Sequence, residues 1–115
     1  MATLNREGLI AALAIRTKDV TLPGGGAVAV RTLSAAQRIA MSSDAVGEDG
    51  KIDTARYSAL IVAATVVDDA GVCIFSPADA DMLLAGASDV FEALFGAAQE
   101  INGIGTKAVE QARGN

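Results

Sequence analysis

Cys73 is the single cysteine of the chain, and the 115 residues contain no histidine. A thiol becomes a nucleophile when a basic or imidazole neighbour draws off its proton, and this chain has no imidazole to offer. Cys73 lies in the apolar run Gly71-Val72-Cys73-Ile74-Phe75, which reads as a small buried hydrophobe. Two carboxylate pairs, Asp79 with Asp81 and Asp89 with Glu92, have the residue types for general acid-base work, which requires one member buried and raised in pKa. All four fall in the first turns of predicted helices, where the helix dipole already favours negative charge. The aspartate-glycine turns invite a calcium reading. Aligning Gly50 with the glycine of an EF-hand loop puts Ala45 and Gly47 at ligand positions and Arg56 at the closing glutamate position; aligning Gly71 puts Val66 and Pro77 at the ends. Both alignments fail, so Asp68 and Asp69 are expected as solvated turn residues. Gly24-Gly25-Gly26 could cradle a phosphate, but the P-loop requires Lys and Ser or Thr at a helix start, and here Ala27-Val28-Ala29-Val30 follows. The Rossmann glycine spacing is absent as well. The expected catalytic, cofactor-binding and metal-ligating residues are therefore none, no cofactor is implied, and an enzyme is not expected.

Composition narrows the class further. The length suits one small domain. Half of the residues are hydrophobic (51%), yet only 3% are aromatic and there is no Trp, so the core must be built from Ala, Val, Leu and Ile, with Tyr57, Phe75, Phe91 and Phe95 as large fillers. A formal charge of −5 argues against a nucleic-acid partner; Arg6, Arg16 and Lys18 are too few to track phosphates. One cysteine excludes an intrachain disulfide and fits a reducing cytoplasm. Leu9 to Ile15 lacks the flanks of a signal peptide, because Glu7 offsets Arg6 and no small-residue cleavage pattern follows before Lys18. The longest apolar run, Ala59 to Val67, is about half of what a bilayer span needs. A soluble protein with no membrane partner is expected.

The elements follow from periodicity and punctuation. Asn5 caps a predicted first helix running to about Ile15, with Leu9, Ile10 and Leu13 on one face that needs a partner. Val20 and Leu22 alternate with polar neighbours, Pro23 and three glycines reverse the chain, and Val28 and Val30 resume the alternation: a β-hairpin at about 18–32. Such a pair is marginal alone and must pack on helices or extend its sheet. Ser34 and Gln37 have capping-box spacing, so the second strand feeds a helix from Ala35 to about Ala45 presenting Ile39 and Met41. Gly47 to Lys51 forms a surface turn. Asp53 then caps the strongest helix, Thr54 to about Val67, in which Tyr57, Leu60, Ile61 and Ala64 make a stripe.

Val72 to Phe75 reads as a short extended piece. Ser76-Pro77 starts a short helix ending near Gly86, with Ser as cap, Pro in the first turn and Asp79 three residues on. Ser88 opens the last helix, whose face is Val90, Phe91, Leu94, Phe95, Ala98 and Ile101, stopped by Asn102-Gly103. Gly96 within it permits close backbone approach, either inside the molecule or by a partner. The fold class is thus α+β: a mostly helical small domain over 1–103 with an N-terminal helix, one hairpin and about four further helices, followed by a flexible or frayed tail at 104–115. An open hairpin edge offers strand addition to another chain.

Taken in order, LNREGLIAALAIRTKDV, VTLPGGGAVAVR, TLSAAQR, GEDGKID, ALIVAATVVDDAGVCIFS and SPADADMLLAGASDVFEALFGAAQEINGI resemble the small tail assembly chaperones of long-tailed bacteriophages and prophages. The resemblance spans nearly the whole chain; its most typical pieces are the hairpin-to-helix passage and the final helix ending in Ile101-Asn102-Gly103. It implies a nonvirion protein of the host bacterial cytoplasm that binds the tape measure protein and helps recruit the major tail tube protein. It also implies, for many members, a ribosomal frameshift that extends the short product near its end. No catalytic motif is carried over. Coating a long partner is compatible with a homo-oligomer, and exposed aliphatic surface with net charge suits such a role. The alternatives are a structural head-tail or tail component, or a small acidic regulatory adaptor.

Overall fold

Three consecutive glycines reverse the chain between the first two strands. Gly24, Gly25 and Gly26 have φ of 85°, 105° and 85°, a left-handed series that side chains with a Cβ resist. The Leu22 N–H donates to the Gly26 carbonyl and the Gly25 N–H to the Leu22 carbonyl, closing the loop between β1 (Thr17–Thr21) and β2 (Ala27–Arg31). The computed structural model describes residues 3–104.

Ahead of the hairpin, α1 (Arg6–Ala12) is capped by Asn5, whose side chain accepts from the Gly8 N–H. It ends earlier than the expected Ile15. Its C-terminal neighbours are drawn into the hairpin: the Thr32 N–H donates to the Arg16 carbonyl and the Arg16 N–H to the Thr32 hydroxyl, which extends the ladder beyond the strands. Val20 pairs with Val28, and Lys18 with Val30. Val20 and Val30 are buried, Leu22 and Val28 half-buried, all in one apolar cluster, as the alternation predicts.

The hairpin gains its third strand from within the chain. The helix α3 (Thr54–Thr65), capped by Asp53 through the Arg56 N–H, stops two residues short of the expected Val67. Val66 and Val67 form β3, antiparallel to β2 with Val66 opposite Val30 and Val67 opposite Ala29. β-Branched side chains tolerate the extended backbone well, and pairing with the otherwise open β2 outweighs one more helical turn. Thr65, fully buried just before the switch, satisfies its hydroxyl by donating to the Ile61 carbonyl at 2.7 Å. The extended piece expected at Val72–Phe75 folds back on β3, with a bridge from Val67 to Cys73 and an Ile74 N–H bond to the Val66 carbonyl. β1 is left as the open edge of the sheet, whose order is β1-β2-β3.

The remaining helices cover the sheet and one another. Ser34 and Gln37 form the expected reciprocal capping box at the start of α2 (Ala35–Asp44). Met41 points into the core, whereas Ile39 is 71% exposed. Ser76 caps a 3-10 turn (Pro77–Asp79) that leads into α4 (Ala80–Ala85), and α5 (Ser88–Asn102) ends at Gly103 in the left-handed conformation. α3 is the central element, packed on α2, α4 and α5, while α5 also lies across β1 and β2. Leu60, Ile61 and Ala59 join Leu33, Met41, Ala45 and Ala98 in one cluster; Val62 and Val66 join the hairpin valines and Leu94 in the other. Phe91 and Phe95 link the two, with ring centroids 6.0 Å apart. Ile104, the first residue of the segment expected to fray, packs half-buried against the core and donates its N–H to Gln99. The rest of that segment lies outside the described residues.

Candidate functional site

Three of the carboxylates with candidate chemistry, Asp68, Asp79 and Asp89, accept from the backbone. Asp79 accepts from the Ser76 N–H at 2.8 Å, which occupies it as the return half of a capping box. Asp68 accepts from Ala70 and Val72 at 2.8 and 3.0 Å, pinning the turn that Gly71 completes with φ of 80°. Asp89 accepts from the Val90 N–H. Asp81 and Glu92 are exposed on α4 and α5. Among the described residues there is no group of three or more Cys, Asp or Glu side chains arranged to hold a metal ion. Among the described residues there is also no buried side-chain nitrogen or oxygen without a partner.

Cys73 is half-buried, and its thiol faces the Ala64 carbonyl at 3.6 Å. It lines an open cavity of about 340 Å³ between α2 and α3, whose walls include Ala40, Met41, Leu60, Ala64, Phe75 and Pro77. These residues come from three separate segments, so sequence periodicity gives no signal for the cavity. A second, smaller cavity of about 170 Å³ opens between α4 and α5 over Phe75, Met82, Leu83, Val90, Phe91 and Leu94. Both are concave and lined by aliphatic and aromatic side chains, the surroundings that accept apolar side chains of another molecule.

The apolar face of α1 is uncovered. None of its residues is buried, and Leu9, Ile10 and Leu13 are 55%, 50% and 72% exposed. The amphipathic face expected to need a partner has no substantial contact with any other element. Gly96 likewise faces outward: a Cβ built there meets nothing within 4 Å, so close packing inside the molecule is not its role. What the chain presents is apolar surface in grooves and on a helix, with no assembled acid, base and nucleophile among the described residues.

No protein-family model matches the chain, and no curated protein matches it. Among solved structures, the tail assembly chaperone of bacteriophage HK97 is similar, with a TM-score of 0.58 at 17% sequence identity, over 76% of this chain and 85% of that one. The class is therefore that of a small α+β domain, and the fold is similar to that of the HK97 tail assembly chaperone, as the resemblance in the order of elements implies.

Proposed function

We propose that this chain is a tail assembly chaperone of a long-tailed bacteriophage or prophage. It binds the tape measure protein and helps recruit tail tube subunits around it, in the host bacterial cytoplasm and outside the finished virion. The observation that supports this most is the fold shared with the HK97 tail assembly chaperone. The apolar surfaces add a physical reason. A tape measure is long, helical and prone to aggregate, so a chaperone must offer aliphatic concavities to its apolar stripe and remain soluble itself. The open cavity between α2 and α3 accepts a leucine or phenylalanine side chain of such a helix, and a net charge of −5 keeps the complex in solution. The proposal includes no catalytic step.

Co-expression with a tape measure fragment tests it. The expected result is a complex that survives purification and is lost when Ala40→Arg, at an exposed position on the cavity wall, places a charge across the opening. Recovery of the chain as an abundant component of purified particles would instead favour a structural tail protein.

A further inference from the structure

A lysine on an edge strand ordinarily keeps other chains from pairing with it. At the open edge of this sheet the lysine is drawn aside, because Lys18 of β1 reaches Glu100 of α5 at 3.0 Å. The bonds from the Leu22 N–H to the Gly26 carbonyl and from the Thr32 N–H to the Arg16 carbonyl bracket the hairpin ladder. Bonded positions alternate in an antiparallel pair, so Lys18 and Val20 direct their backbone groups to β2, while Thr17, Asp19 and Thr21 turn theirs to the open side. These three residues are exposed, and no strand pairs with that side among the described residues. Val20 is buried in the cluster that includes Leu94 of α5, so by alternation the side chains of Thr17, Asp19 and Thr21 lie on the face of the sheet away from α5.

α5 leaves room beside the same edge. Glu92, Gly96 and Glu100 recur every four residues and so share one face of the helix, and all three are exposed. The ion pair with Lys18 turns this face toward β1. Gly96 lies about 6 Å along the helix from Glu100 at 1.5 Å per residue, and a Cβ built there meets nothing within 4 Å. The surroundings are acidic: Asp19 stands on one side of the edge, Glu92 and Glu100 on the other, and residues 57–104 contain no Lys or Arg.

We propose that β1 takes up, by strand addition, an extended cationic segment of a partner protein. The backbone of that segment pairs with Thr17, Asp19 and Thr21. Its side chains alternate between aliphatic residues on the α5 side, where the missing side chain of Gly96 admits them, and Lys or Arg on the other side, against Asp19. In this mode main-chain bonds supply affinity and the alternate side chains supply selectivity, and opposite charges facing one another across a strand pair add to both. A second copy of this chain does not match the edge, since β1 against β1 centred on Asp19 sets two carboxylates directly opposite. The edge shares no residue with the α2–α3 cavity, so the tape measure experiment and this one fail independently.

Fluorescence anisotropy tests it with the full chain and a labelled peptide, Thr-Val-Lys-Val-Lys-Val-Thr, beside the same peptide with Glu in place of Lys. The wild type is expected to bind the lysine peptide about tenfold more tightly than the glutamate peptide. Asp19→Lys, at an exposed position, is expected to reverse that preference. Gly96→Gln fills the open space with a better helix former and is expected to weaken binding of the lysine peptide about tenfold. Circular dichroism checks that both variants are folded. Hydrogen exchange read by NMR is expected to show the Thr17, Asp19 and Thr21 amides protected when the peptide is bound. A wild type that does not bind the lysine peptide would overturn the proposal, as would an unchanged preference in folded Asp19→Lys, wild-type affinity in folded Gly96→Gln, or binding that leaves those amides unprotected. Protection of the same amides without peptide, rising with protein concentration, would also overturn it by assigning the edge to a second copy.

Discussion

The Leu33 N–H donates to the Asn102 side-chain oxygen at 2.7 Å, across 69 residues of sequence. The same amide donates through its nitrogen to the Arg31 carbonyl at 3.2 Å and the Ala98 carbonyl at 2.9 Å. One side chain at the end of α5 thereby satisfies the backbone where β2 leaves the sheet and α2 has not yet begun. Asn102→Ala leaves the Leu33 donor and the Arg31 acceptor without that partner in a partly buried position, which costs about 1–3 kcal/mol. Asn102→Asp keeps the acceptor and loses the donor. Urea denaturation is expected to rank wild type above the Asp variant and the Asp variant above Ala.

Two glycines separate backbone need from open space. Gly25 sits at φ of 105° in the hairpin loop, where alanine is strained, so Gly25→Ala is expected to lose about 1–2 kcal/mol. Gly96 lies within α5 with nothing near its missing side chain. Gly96→Ala is therefore expected to gain about 0.5–1 kcal/mol. Thermal midpoints moving in opposite directions would check both.

Much of this architecture is legible in the sequence because its causes are local. Asn5, Ser34 with Gln37, Asp53, and Ser76 with Asp79 each act within a few residues of themselves, and three glycines can do little but turn. What was not legible depends on distant partners. Val66 and Val67 continue an apolar run without interruption, and only the presence of β2 beside them makes them strand. Ile39 has helical spacing yet faces outward because α3 meets α2 on the Met41 side. The spacing of Leu9, Ile10 and Leu13 predicts an apolar face on α1 that needs a partner, but no pattern in it says whether the partner lies in the same chain. The α2–α3 cavity brings together side chains from separate segments, from Gln37 to Pro77, and Asn102 reads only as a helix stop.

Asp68 distinguishes a hydrogen-bonding role from a charge role. Its Oδ1 holds the Ala70 and Val72 amides, and Asn supplies the same acceptor. Asp68→Asn is expected to keep the thermal midpoint near wild type, whereas Asp68→Ala loses two bonds worth about 0.5–1.5 kcal/mol each. Added calcium is expected to move none of the three midpoints.

The exposed helix and the buried one should respond in opposite ways to substitution. No residue of α1 is buried, so Leu9→Asp is expected to shift the stability of the isolated chain by no more than about 0.5 kcal/mol. Leu60, 2% exposed in α3, leaves a cavity when cut to alanine and costs about 2–5 kcal/mol. Denaturation at low protein concentration reads both.

The chaperone proposal is tested most directly by light scattering from a purified tape measure fragment diluted from denaturant, alone or with this chain. Scattering is expected to be suppressed in proportion to added wild type, and to return when folded Ala40→Arg replaces it. Equal scattering with and without the wild-type chain, at concentrations where that chain is folded, would contradict the proposal.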